Sequence, residues 1–142
     1  MTIAAILRNK GRDIVSVTAD ATVAETVALL AERRIGAVPV ISDGAVEGIF
    51  SERDVIQCLA ATGNDAMQRP VRDAMTAPAI TVSPDQSVLG ALALMTERRV
   101  RHLPVVDGGA IVGFVSIGDL VKYRIDRIEA EAAAMRTYIQ GG

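Results

Sequence analysis

Val15–Ala60 reads VSVTADATVAETVALLAERRIGAVPVISDGAVEGIFSERDVIQCLA, and Ile80–Ile125 reads ITVSPDQSVLGALALMTERRVRHLPVVDGGAIVGFVSIGDLVKYRI. The second stretch is the first displaced by 65 residues without a gap, and 15 of the 46 aligned pairs are identical. Glu32-Arg33-Arg34 meets Glu97-Arg98-Arg99, Pro39-Val40 meets Pro104-Val105, and Gly48, Ser51 and Asp54 meet Gly113, Ser116 and Asp119. Most other pairs exchange one aliphatic residue for another. Units this small do not bury a core alone, so the two should pack on each other about a pseudo-two-fold axis as one domain.

Both units parse alike. Val15–Thr18 alternates apolar and polar, which predicts a short strand. Thr22 then opens a helix as N-cap, with Glu25 three residues on as in a capping box, and Val23, Val27 and Leu30 follow at helical spacing. Ala37–Ile41 is a buried strand, Ser42-Asp43-Gly44 a hairpin turn, Val46–Phe50 the returning strand, and Ser51 the start of a second helix. The second unit repeats this as Ile80–Val82, Val88–Glu97, His102–Val106, Asp107-Gly108-Gly109, Ile111–Val115 and a helix from Ser116. The expected fold is therefore α/β (α+β), β-α-β-β-α twice. Its parts are a lead-in segment at 1–13 (a short helix over Ile3–Asn9), a first repeat at 14–61, a linker at 62–78, a second repeat at 79–125 and a helical extension at 126–142.

The final helix is long, from about Asp119 to Gln140, and Val121, Ile125, Ile128, Ala132, Met135 and Ile139 step along it as a heptad seam. It either packs along its own domain or reaches a second subunit.

The 142 residues suit a single domain. Half are apolar and 23% charged, which excludes disorder, and the net charge of -2 gives no electrostatic footprint for nucleic acid. One Cys and one His exclude a disulfide scaffold and leave no metal constellation. Cys58 reads as a core-facing thiol. No apolar run reaches membrane-spanning length, and the apolar stretch Ile3–Leu7, with no basic residue before it, is too short for an export signal, so a cytoplasmic protein is expected. Aromatics are only 3%, with no Trp, so a planar ligand should not count on aromatic stacking.

The strand-to-helix turns carry the chemistry: Gly48-Ile49-Phe50-Ser51-Glu52-Arg53-Asp54 and Gly113-Phe114-Val115-Ser116-Ile117-Gly118-Asp119. An ionised carboxylate accepts both hydroxyls of a ribose. A serine hydroxyl with the free N–H groups of a helix start can hold a phosphate. The upstream glycine permits close backbone approach. Ser followed three residues on by Asp is also a helix cap, but two hits at equivalent places, each with the glycine, favour a ligand role.

With these turns and the Arg-Arg-Ile-Gly-Ala-Val-Pro-Val and Arg-Arg-Val-Arg-His-Leu-Pro-Val-Val-Asp stretches, the chain resembles the cystathionine-β-synthase (CBS) domain family. It looks like a stand-alone bacterial tandem pair, or Bateman module. The resemblance implies a regulatory, non-enzymatic homodimer with two clefts for adenine nucleotides (AMP, ADP or ATP, sometimes NAD(H) or S-adenosylmethionine). Such a module senses energy or redox state and signals to an effector the chain does not name. Carried over by position, Ser116 and Asp119 would hold phosphate and ribose of a nucleotide whose adenine lies against Val15, Ile35 and Gly36, with Lys10 nearby. Ser51 and Asp54 would serve a second nucleotide whose base meets Ile80, Val100 and Arg101. Met75-Thr76 corresponds to a segment bordering a base pocket.

The clefts are unequal, since Arg53 stands beside Asp54 but Gly118 beside Asp119, and Arg101-His102 replace Gly36-Ala37. His102, beside Arg101, is a phosphate contact, a pH-sensitive group or a partly exposed strand-edge residue. Arg33-Arg34 and Arg98-Arg99 close their helices with favourable cations, or contact phosphate or a partner. No phosphate-binding loop with Lys is present. The competing expectations are a purely structural dimerisation module with vestigial clefts and a small nucleotide-processing enzyme, for which no base can be named.

Overall fold

The computed structural model describes residues 1–141. Helix α1 (Ile3–Lys10) buries Ile3, Ile6 and Leu7 on one face and stops at Gly11, whose φ of 94° an L residue seldom adopts. Helix α2 (Val23–Arg33) starts at the expected capping box: Glu25 N–H donates to Thr22 Oγ1 (3.0 Å) and Thr22 N–H to Glu25 Oε2 (3.4 Å). Strands β1 (Ala37–Ser42) and β2 (Ala45–Ser51) form an antiparallel hairpin. Asp43 and Gly44 both have positive φ, 50° and 80°, which gives the turn the hand that matches strand twist. Helix α3 (Glu52–Thr62) follows, then two 3-10 turns (Gly63–Gln68 and Val71–Asp73). Helix α4 (Val88–Arg98), strands β3 (His102–Asp107) and β4 (Ala110–Ser116) and helix α5 (Ile117–Gly141) repeat the unit. Both hairpins carry their register shift at the same place, after Val40 and after Val105.

The leading strand of each unit is shorter than expected. Val17 pairs in parallel with Val40 and Val82 with Val105, one residue each. Val17 N–H donates to Pro39 O and Ile41 N–H to Val17 O, and the second repeat does the same around Pro104. The next rung toward the N-terminus needs an N–H from Pro39 or Pro104, and proline has none. The ladder ends there.

The repeats complete their cores by exchanging segments. Each has its own apolar cluster. One joins Val82, Val88, Met95, Leu103, Val105, Val115 and Leu120; the other joins Val23, Leu30, Val38, Val40 and Phe50. Each is roofed by the segment preceding the other repeat. Helix α1 lays Ile3, Ile6 and Leu7 on the second core, while Val71 and Met75 of the linker cover the first. Backbone pairs pin the exchange: Thr2 with Ser87, Pro70 with Thr22 and Ile49 with Thr76.

The shared glycines make room for this exchange. A Cβ on Gly48 would lie 2.7 Å from the Thr76 carbonyl oxygen, and one on Gly113 2.5 Å from Leu7 Cδ2. Cys58 is half-buried at the edge of the first core.

Helix α5 leaves its domain after two turns. Leu120 is fully buried, but Val121, Ile125, Ile128, Met135 and Ile139 are 42–68% exposed. Packing of the seam along its own domain is therefore not observed. Among the described residues, no helix is long and apolar enough to cross a membrane.

Candidate functional site

A cleft of about 380 Å³ opens between the repeats. Its walls come from the end of α1 (Lys10), Asp13 to Val15, the end of α2 and start of β1 (Arg34 to Ala37), and from His102, Phe114, Ser116 and Asp119 of the second repeat. Its size falls within the range of small-molecule sites, roughly 300–1,000 Å³.

Asp119 is fixed by the first turn of α5. Its Oδ2 accepts the Ser116 N–H at 2.8 Å, and its own N–H donates to Ser116 Oγ at 3.1 Å. Lys10 Nζ approaches the same Oδ2 at 2.6 Å and donates to the Phe114 carbonyl at 2.7 Å. Burial alone would raise the Asp119 pKa; the Lys10 and Ser116 hydrogen bonds outweigh it and hold the carboxyl below its ordinary value. The carboxylate is thus ionised at neutral pH, and its Oδ1 accepts no hydrogen bond among the described residues.

His102 stacks on Phe114, ring centroids 5.6 Å apart and planes 14° from parallel. Burial lowers its pKa, with Lys10 and Arg101 adding to the effect and Asp119 and Glu52 opposing it. The imidazole is therefore neutral at pH 7.

Lys10, Val15, Ile35, Gly36, Ser116 and Asp119 line one cleft, as the sequence anticipates. His102 lies in this cleft and not beside Asp54, because the β3–β4 register sets it opposite Ser116. Ser51, Arg53, Asp54, Ile80, Val100 and Arg101 do not line it. Asp54 is only 4% exposed, and the chain itself occupies both its oxygens. Ser51 N–H (2.8 Å) and Ser51 Oγ–H (3.0 Å) donate to Oδ2, and Thr76 Oγ1–H (2.8 Å) to Oδ1. Ile80 and Val100 pack against the second core, while Arg53 and Arg101 are exposed.

Sequence reasoning passed over Ile14, Asp13, Ala37 and Phe114, and treated Arg34 first as a helix-end cation. The expectation of a cleft without aromatics is corrected: Phe114 and His102 form one wall. A shallower groove of about 590 Å³ lies on the far side of Arg34, lined by Val27, Leu30, Ala31, Val55 and Ile56 among others. Among the described residues, no cluster of His, Cys, Asp and Glu could hold a metal ion.

Two β-hairpin repeats that exchange their leading segments, with a cleft between them, define a tandem-repeat module rather than an ordinary two-layer domain. The CBS domain family matches residues 9–61 and 71–126, and the chain belongs to it. It is 35% identical over 150 residues to the mitochondrial CBS domain-containing protein CBSX3 of Arabidopsis thaliana, covering 99% of this chain and 73% of that one. Its fold is similar to the CBS-domain containing protein ATU1752 from Agrobacterium tumefaciens, with a TM-score of 0.84, 38% identity and coverage of 87% and 99%. It is also similar to the CBS domain protein PAE2072 from Pyrobaculum aerophilum complexed with AMP, with a TM-score of 0.74, 28% identity and coverage of 84% and 89%.

Proposed function

We propose that this CBS pair is a non-enzymatic regulatory module, cytoplasmic and homodimeric, that binds an adenine nucleotide in the cleft around Asp119. The observation that carries the reading is the state of that carboxylate. It is ionised, held by the helix start, and keeps Oδ1 free in a cleft of nucleotide size. A ribose diol donates to such an oxygen. The His102–Phe114 pair offers a flat apolar face, and Ser116 stands beside the carboxylate for phosphate. AMP in the related PAE2072 protein supports an adenine ligand. AMP or ATP suits the cleft, and NAD(H) would extend a second half past its mouth. The Asp54 carboxylate would bind only after Thr76 lets go, so the two sites differ in readiness.

Because the cleft joins both repeats, a ligand that binds one relative orientation better than another shifts the population by that difference in affinity. Isothermal titration with AMP, ATP, NADH and S-adenosylmethionine tests the reading. Micromolar binding of at least one adenine nucleotide, lost in Asp119→Ala, is expected. No binding by the folded wild-type chain overturns it, and binding of S-adenosylmethionine alone overturns its nucleotide half. A dimer whose stability ignores all four ligands would instead support a structural module, a reading favoured by the exposed α5 seam.

A further inference from the structure

Arg34 follows the last residue of α2 in the left-handed conformation, φ 54° and ψ 47°. Its repeat counterpart Arg99 does the same after α4, φ 57° and ψ 42°. This position at a helix end is one that glycine fills without steric penalty, and long side chains are uncommon there. A cation for the helix dipole does not require it, because Arg33 and Arg98, inside the last turns, already supply one. The chain thus keeps an arginine, twice, where its backbone would be better served by glycine. Such an outlier calls for a use of the side chain.

The cleft shows the use. Its lining cations are Lys10 and Arg34. Lys10 is already engaged by Asp119 and the Phe114 carbonyl, and His102 is neutral. Arg34, in contrast, has no hydrogen-bond or ion-pair partner among the described residues, although Asp13 and Glu52 lie nearby on the walls. Its position on the rim between the cleft and the shallow outer groove leaves it accessible to a group projecting from the mouth. A guanidinium matches two phosphate oxygens at once, which a lysine ammonium cannot do.

We infer that Arg34 is the specificity residue of the cleft: it anchors the phosphate and makes the site select phosphorylated nucleosides over uncharged ones. This rests on the adenine-nucleotide reading above. The test compares AMP with adenosine by titration calorimetry on the full chain, as wild type, Arg34→Gly and Arg34→Lys, with thermal unfolding of each. Arg34→Gly should melt at or above the wild-type temperature, because glycine relieves the backbone. It should weaken AMP by about 10- to 100-fold, the range of a lost charged hydrogen bond, and leave adenosine within about twofold. Arg34→Lys, keeping charge without the fork, should fall between. If wild type binds AMP and Arg34→Gly binds it equally well, the inference is wrong. It is also wrong if AMP and adenosine weaken together. If the wild-type chain binds neither ligand, AMP recognition by this cleft, on which the inference rests, has failed, a result distinct from the other two.

Discussion

Gly48→Ala isolates the contact that locks the linker onto the first repeat. The new Cβ would sit 2.7 Å from the Thr76 carbonyl oxygen and 2.9 Å from Met75 Sδ. The sulfur can swing away, but the carbonyl is clamped. It accepts the Ile49 N–H at 2.9 Å, while Thr76 N–H returns a bond to Ile49 O at 2.9 Å. Reaching a 3.4 Å separation from 2.7 Å requires a shift of roughly 0.7 Å (3.4 − 2.7), which stretches both bonds beyond hydrogen-bonding range. Two such bonds contribute about 1 kcal/mol each. Overpacking adds about 1 kcal/mol or more, and the stiffer unfolded chain returns up to about 1 kcal/mol. The net loss is about 2–3 kcal/mol, or a melting temperature roughly 8–12 °C lower at about 4 °C per kcal/mol for a chain of this length. Thermal unfolding followed by circular dichroism, repeated in urea, reads it directly. Gly113→Ala is the comparator. Its nearest contacts are side-chain carbons of Leu7 and not a hydrogen-bonded carbonyl, so the loss should be smaller. A Gly48→Ala protein melting within about 2 °C of wild type, or a costlier Gly113→Ala, would refute the reasoning.

Three further outcomes are expected. Lys10→Met should lower stability by about 1 kcal/mol, a modest figure because both partners of the Lys10–Asp119 pair are about one-third exposed. High salt should shrink that difference, and a salt-independent difference in urea melts would count against the ion pair. On acidification, the half-buried neutral His102 has a folded pKa below its unfolded one. Its contribution is complete above about pH 6.5 and is lost as pH falls toward the folded value, with the Asp119 contribution lost only in stronger acid. His102→Gln should flatten the stability profile between pH 7.5 and 5.5, and an unchanged slope would assign it elsewhere. The double variant Ile128→Glu, Met135→Glu should convert a wild-type dimer into a monomer by light scattering. A wild-type monomer would remove the seam as an interface.

Much of this architecture was legible along the chain. Thr22 with Glu25, the Asp43-Gly44 and Gly108-Gly109 turns, and the apolar periods between them each encode a local decision the structure keeps. The truncated first strands were written in Pro39 and Pro104, but the effect of a missing N–H becomes readable only when the partner strand and its register are known. The exchange of leading segments was not legible. No local period tells Leu7 to pack on Gly113 rather than on its neighbour in sequence. For the site, the ordered motifs brought Lys10, Val15, Ile35, Gly36, Ser116 and Asp119 to one cleft. Which cleft His102 faces was not legible beside Arg101, because it is set by its cross-strand partner Ser116. Asp54 and Asp119 look alike in sequence. Their settings differ through Thr76 and Lys10, which arrive from distant segments.

The traded leading segments mean that the unit of folding is not the unit of repetition. Cutting the chain in its linker would give two fragments, each lacking a wall of its own core: residues 62–142 would want α1, and residues 1–61 would want Val71 and Met75. Neither half is an autonomous building block, yet together they are complementary by construction, as in an arm exchange carried out inside one molecule. Any pull on the N-terminus is therefore delivered to the second repeat, first through the backbone bonds of Met1, Ile3 and Ala4 to Val88, Gln86 and Pro84, and at the far end of α1 through Lys10, at the carboxylate the cleft is built around.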